Sequence, residues 1–274
     1  MMAPEYYIFT GERVPDHVTH VLIAKALKFV PARAFSSHPN IEEMICHDGV
    51  EKIERNAFHN CPSLQRVIMP GVKIVEKFAF HNCTSLTYIE CGKLEIIGEH
   101  AFSYTSFSSI DLPSIKIVEG SAFNVCTNLT NVKFGQDLES NGWRAFHLCH
   151  SLEHITLPLK DGMITHDNTF LYCDELHHVD LVGGVYETVA ALLKEEWKND
   201  VSKEIDAINN ILPRDGEKAR AIRAWITSVH RKYTHYKAEH RRYVNEAAAT
   251  LKLTLPHDIV LKNILPFVEL PSDT

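Results

Sequence analysis

The chain has 274 residues, 45% hydrophobic and 23% charged, with a net charge of -7. That is enough apolar chain for one large domain or two modest ones with a buried core, and 12 glycines and 12 prolines exclude collagen-like and disordered classes. No apolar run approaches the roughly 20 residues that a bilayer-spanning helix needs, and the acidic balance argues against wholesale nucleic-acid binding.

The opening residues, Met1-Met2-Ala3-Pro4-Glu5-Tyr6-Tyr7, show no basic region leading into an apolar core. No secretory signal is visible there, so the expected location is intracellular and cytoplasmic.

From residue 34 onward the sequence repeats itself. Ala-Phe occurs at 34–35, 57–58, 79–80, 101–102, 122–123 and 145–146, and Thr169-Phe170 is a seventh variant. Three positions after the Phe stand Cys61, Cys83, Cys126, Cys149 and Cys173, and six after it stand Ile41, Leu64, Leu86, Leu129, Leu152 and Leu176. The unit reads Ala-Phe-x-x-Cys-x-x-Leu-x-x-(Ile/Val)-x-(Leu/Met/Cys/Phe), about 22 residues long. In the fourth copy one residue is missing after Phe102, so Phe107, Ile110 and Leu112 arrive one place early.

Alternation such as Val67-x-Met69 or Ile155-x-Leu157 suits a strand of about three residues. The Ala-Phe-x-x-Cys spacing suggests a short helical arc on the opposite side. A unit this small buries its Phe and Leu only by stacking on its neighbours, which gives a quasi-one-dimensional solenoid. Seven strands about 4.8 Å apart make a parallel sheet roughly 30 Å long.

The repeat resembles the BspA-type leucine-rich repeat of bacterial and protist proteins, over roughly residues 18–184. The segment from Tyr7 to Val21 is similar to the opening strand of microalgal members, and the tail ending Leu-Pro-Phe-Val-Glu-Leu-Pro is similar to theirs. The resemblance implies a binding scaffold without catalytic residues and leaves the partner open. The expected fold class is an α/β solenoid: a leucine-rich repeat stack with a short-strand parallel sheet, followed by an α-helical C-terminal cap. Its expected divisions are an N-terminal segment over 1–17, a solenoid over 18–184 and a helical region over 185–274.

The seven cysteines fit a repeated interior slot, five at one phase and Cys46 and Cys91 at an inward strand phase. No Cys-x-x-Cys occurs, so buried thiols are preferred to disulfides or zinc. His59, His81 and His147 share the phase after the Phe, where a turn-bonding or solvated role is expected. His147, His150 and His154 do not fall on one helical face. Neither a phosphate-binding Gly-rich loop nor a nucleophile elbow is present, and no enzyme, metal or cofactor is expected.

Residues between the buried strand positions face outward and stack into columns. One column holds Glu43, Arg66, Tyr88, Ser109, Asn131, His154 and His178; the next holds Ile45, Ile68, Glu90, Asp111, Lys133, Thr156 and Asp180. The candidate partner-binding residues are Glu43, Arg66, Ile68, Tyr88, Glu90, Asp111, Asn131, Lys133, His154, His178 and Asp180. Mixed apolar, aromatic and charged side chains suit a protein or peptide better than a phosphate backbone.

After Gly183-Gly184 the apolar spacing turns helical, from Val189 to Leu212, and a break at Pro213 precedes a second periodic run through Leu251. A short third helix is expected from Pro256 to before Pro266. Nine basic residues from Arg214 to Arg242 face three acidic ones. Capping of the last repeat is the first expected task of these helices. Self-association through them is the alternative, and an acidic surface or nucleic acid is the least favoured partner.

Overall fold

A computed structural model describes residues 5–160, 162–164, 166–182, 184–213, 217–254 and 270. In chain order the strands are β1 (Tyr7–Phe9), β2 (His20–Ile23), β3 (Phe29–Val30), β4 (Glu43–Ile45), β5 (Lys52–Ile53), β6 (Arg66–Ile68), β7 (Ile74–Val75) and β8 (Tyr88–Glu90). They continue as β9 (Ile96–Ile97), β10 (Ser109–Leu112), β11 (Ile117–Val118), β12 (Asn131–Phe134), β13 (Ser140–Asn141), β14 (His154–Leu157) and β15 (His178–Leu181). Every pairing is parallel.

Strands of the expected phase form one side of the solenoid, with Met44, Val67, Val132 and Ile155 turned into the core. A second parallel sheet, in the order β13-β11-β9-β7-β5-β3, forms another side. Its strands are only two residues long, and each sends one residue inward: Val30, Ile53, Val75, Ile97, Val118 and Asn141. These stand five positions before each Phe, a phase the repeat unit above leaves out.

The Ala-Phe-x-x-Cys segment is not a helical arc. It forms successive turns in which the residue before Ala and the second residue after Phe adopt positive φ, as at Asn56 (59°) and Asn60 (60°). This alternation aims every second amide along the solenoid axis. Phe58 N–H donates to Ala79 O at 2.7 Å and Asn60 N–H to His81 O at 2.8 Å, and the pattern recurs from rung to rung. A continuous helix would spend these amides within its own rung, so stacking favours turns.

The phenylalanines stack along the axis with ring centroids 4.6–5.6 Å apart from Phe9 through Phe170. Beside this spine the five cysteines at the phase after the Phe point their thiols to the previous rung. Cys61, Cys83, Cys126, Cys149 and Cys173 donate to the carbonyls of Phe35, Phe58, Phe102, Phe123 and Phe146 at 2.9–3.2 Å. All seven cysteines are free and buried. Burial pushes the Cys46 and Cys91 thiols up to about 12, which removes the thiolate that reacts. Where a rung turns a corner, backbones come close: a Cβ at Gly135 would stand 1.8 Å from Pro113 O.

The short fourth copy interrupts the first sheet. β1-β2-β4-β6-β8 form one ladder and β10-β12-β14-β15 another, with no strand pairing between β8 and β10. The other two sides stay bonded there, through β9–β11 and through Phe102 N–H to Ala122 O at 2.8 Å. With one residue fewer and Phe107 filling a Leu slot, the chain reaches β10 out of bonding position. Ile89 stays half-buried, whereas Val67 and Val132 are fully buried.

Among the described residues three helices follow: α1 (Val185–Ala190), α2 (Glu195–Ile211) and α3 (Lys218–Thr254). The two long helices cover the last rung. Lys218, 2% exposed, donates through Nζ to the carbonyls of Cys173, Asp174 and Leu176 at 2.5–2.8 Å, while Asn209 Oδ1 accepts from Val179 N–H at 2.9 Å. These are backbone groups that a further rung would otherwise pair. Val201, Ile205, Ile208, Ile222, Ile226 and Val229 join the same core as the repeats. The segment expected to form a third helix lies outside the described residues, as do the side chain of Leu251 and the structure of Gly183.

Two expectations follow. Phe80→Ala removes a fully buried ring from the middle of the spine and should cost about 3–5 kcal/mol in urea unfolding; a loss below about 1 kcal/mol would contradict the spine's role. The seven thiols should resist an aromatic disulfide reagent in the native protein and all react in denaturant, and rapid native reaction of any of them would contradict the buried ladder.

Candidate protein-interaction face

Strand register decides which side chains share a column. On the five-stranded ladder Glu43, Arg66 and Tyr88 are direct partners, as are Ile45, Ile68 and Glu90. On the four-stranded ladder Ser109, Asn131, His154 and His178 align, beside Asp111, Lys133, Thr156 and Asp180. Both columns match the sequence reading, but the break between β8 and β10 divides each in two. The face is therefore two patches of different chemistry.

The first patch is apolar beside a charged and aromatic ladder. Ile8, Leu22, Ile45 and Ile68 follow one another in register, Ile8 being 58% and Leu22 36% exposed. Next to them, Arg66 Nε bonds Glu43 Oε1 at 3.0 Å and its guanidinium lies 4.3 Å from the Tyr88 ring centroid. Tyr6 donates its hydroxyl to Glu43, and that bond to a carboxylate raises the Tyr6 pKa. The sequence reading missed Ile8 and Leu22, because their strands precede the first Ala-Phe pair. Alternation in Tyr7-Ile8-Phe9 and Val21-Leu22-Ile23 was the available signal.

The second patch is polar. His154 lies 5.0 Å from His178 and 5.4 Å from His177, ring to ring, and His178 Nε2 meets Asp180 Oδ1 at 3.1 Å. Asp111, Asn131 and Lys133 stand exposed across the same ladder. Among the described residues no group of three His, Cys, Asp or Glu has the geometry to hold a metal ion.

The basic residues of α3 are largely engaged. Lys232 bridges Asp200 and Glu204 at 3.0 Å each, Arg220 and Arg223 reach Asp167, and Arg242 pairs with Glu239 and Glu246. Lys218 is buried under the last rung. They do not line up as an open stripe for phosphates.

The sequence matches the family described as BspA type leucine rich repeat region, in six copies, over residues 15–119 and 95–195. The chain belongs to the BspA-type leucine-rich repeat family. Its members are generally protein-interaction scaffolds and typically not enzymes. Among solved structures, a leucine-rich repeat protein from Bacteroides ovatus ATCC 8483 aligns with a TM-score of 0.50 at 21% identity, over 62% of this chain and 48% of that one. The leucine-rich repeat protein of T. pallidum aligns at 0.41 and 20% identity, over 65% and 69% of the two chains. A leucine-rich cell surface protein from Faecalibacterium prausnitzii A2-165 aligns at 0.30 and 18%, over 61% of each. The chain thus spans 48% of the length of the Bacteroides protein, and that likeness concerns the fold. No curated protein matches in sequence. No helix among the described residues of this leucine-rich repeat protein is long and apolar enough to cross a membrane.

Away from the sheet, the turn side carries a ring cluster. His59 and His81 stack at 5.2 Å with 6° between planes, and Phe78, His100 and Tyr104 pack around His81 at 5.3–6.1 Å. The equal repeat phase of His59 and His81 thus produces ring stacking in a half-buried cluster. Burial, with His59 and His100 close by, lowers the His81 pKa to about 4, and burial likewise lowers those of His100 and His147.

A histidine of depressed folded-state pKa binds its proton preferentially in the unfolded chain, whose value is near 6.5, so its contribution to stability is present above that pH and is lost as pH falls toward 4. The melting temperature should therefore decline from pH 6.5 to 4, and His81→Phe should flatten part of the decline. Identical pH profiles for the two chains would contradict this assignment.

Proposed function

We propose that this leucine-rich repeat protein is a non-catalytic scaffold that binds a protein or peptide through the outward face of its strand sheet, in the reducing interior of the cell. The observation that carries the reading is the in-register stripe Ile8, Leu22, Ile45 and Ile68 beside the Glu43–Arg66–Tyr88 ladder. A contiguous row of apolar side chains held outward on a rigid sheet keeps apolar surface in water that a partner would remove. Tyr88 and Arg66 are of the residue types that most often dominate interface energies. Net charge over residues 1–184 is -8, from 14 basic and 22 acidic residues, which favours approach of a basic partner. Seven free buried thiols agree with a reducing compartment.

In this reading Glu43, Arg66, Ile68, Tyr88 and Glu90 form the contact region with Ile8, Leu22 and Ile45. Asp111, Asn131, Lys133, His154, His178 and Asp180 extend it beyond the break. The helices cap the solenoid and take no part in recognition.

Affinity capture from native lysate should recover a partner with the natural chain and with Arg231→Glu, and lose it by at least about tenfold with Leu22→Glu plus Ile68→Glu. Capture unaffected by the sheet changes but lost with Arg231→Glu would move the function to the helices.

A further inference from the structure

We propose that the apolar stripe seats an amphipathic helix of a partner protein, one that carries lysine or arginine at the end lying over Glu90 and Asp111. The inference rests on the interaction reading of the outer face and names what that face selects.

Spacing favours a helix over a strand. Columns advance by one rung, about 4.8 Å, whereas successive helical turns advance about 5.4 Å and alternate strand residues about 6.7 Å. Over the three steps from Ile8 to Ile68 a helix drifts by about 2 Å and a strand by about 6 Å, so only the helix keeps one side chain per rung. Width agrees as well. A three-residue strand presents about 10 Å, close to the diameter of a helix with its side chains.

Charge fixes the end. The stripe stops at Glu90, which follows Ile68 in register, and Asp111 opens the next ladder across the break. Both carboxylates are exposed, and neither forms an ion pair with a described residue, whereas Glu43 is engaged by Arg66. Both lie close enough to Cys91 to disfavour its thiolate. Lys133 follows Asp111 in register and leaves one negative charge in excess over the three groups. A helix with a basic end lying here gains attraction there, and a helix with an acidic end is repelled.

The test uses the full chain and two synthetic helical peptides of about 15 residues, sharing a leucine face and differing only in a terminal run of lysines or of glutamates. Fluorescence polarisation should show the lysine peptide binding at least about tenfold more tightly. Glu90→Lys with Asp111→Lys should reverse the preference, and Leu22→Glu should weaken both peptides while leaving the melting temperature unchanged. Equal binding of the two peptides, or a preference that survives the double charge reversal, overturns the inference. If lysate capture is lost with the sheet changes while the peptides show no charge preference, the interaction face stands and the basic helix falls. Self-association of the natural chain abolished by Leu22→Glu would assign the stripe to a second copy and also overturn it.

Discussion

A unit of about 22 residues cannot enclose its own phenylalanine, and every other feature of the molecule answers that constraint. The ring's faces are covered by the rings above and below, so rungs must lie one strand spacing apart. At that spacing the backbone of each rung is within reach of the next on all three sides, except on the outward side between β8 and β10. Parallel ladders and left-handed turn residues then consume amides that would otherwise be buried without partners. The cysteine slot obeys the same geometry: it takes a side chain small enough to sit beside a ring and able to donate weakly to the previous Phe carbonyl. In the short fourth copy Thr105 holds this phase, and its hydroxyl turns back to Phe102 O of its own rung at 2.8 Å.

Much of this was legible because a repeat states its contacts many times over. Phased Phe, Leu and strand residues fixed the stack, the sense of the sheet and the outward columns, and the register of Glu43, Arg66 and Tyr88 follows from counting alone. Two things were hidden. The turn side reads as helix because three-residue spacing is common to a helix and to consecutive turns, and positive φ at residues such as Val125 and Leu148 has no sequence signature. The second sheet escaped because its two-residue strands carry one inward position each, too few for a periodic signal.

The single deletion after Phe102 divides the outward face. It was visible in sequence as a shift of apolar slots, yet its effect on the sheet depended on whether the next rung could recover bonding position. Two sides recover it and the outward side does not. The outer face is thereby separated into an apolar patch on the β1-β2-β4-β6-β8 ladder and a histidine-rich polar patch on the β10-β12-β14-β15 ladder. The helical end meets a different need. Lys218 and Asn209 satisfy groups that the stack leaves open, and Arg220, Arg223, Lys232 and Arg242 of α3 pair with neighbouring carboxylates.

In the function proposed above, partners meet this protein on the outward strands and not on the helices. Site-specific photo-crosslinking measures that directly, with the reactive group placed at position 22, 45 or 231 in turn and the chain incubated with its captured partner. Adducts from positions 22 and 45, with none from 231, are expected. Adducts from 231 alone would contradict it.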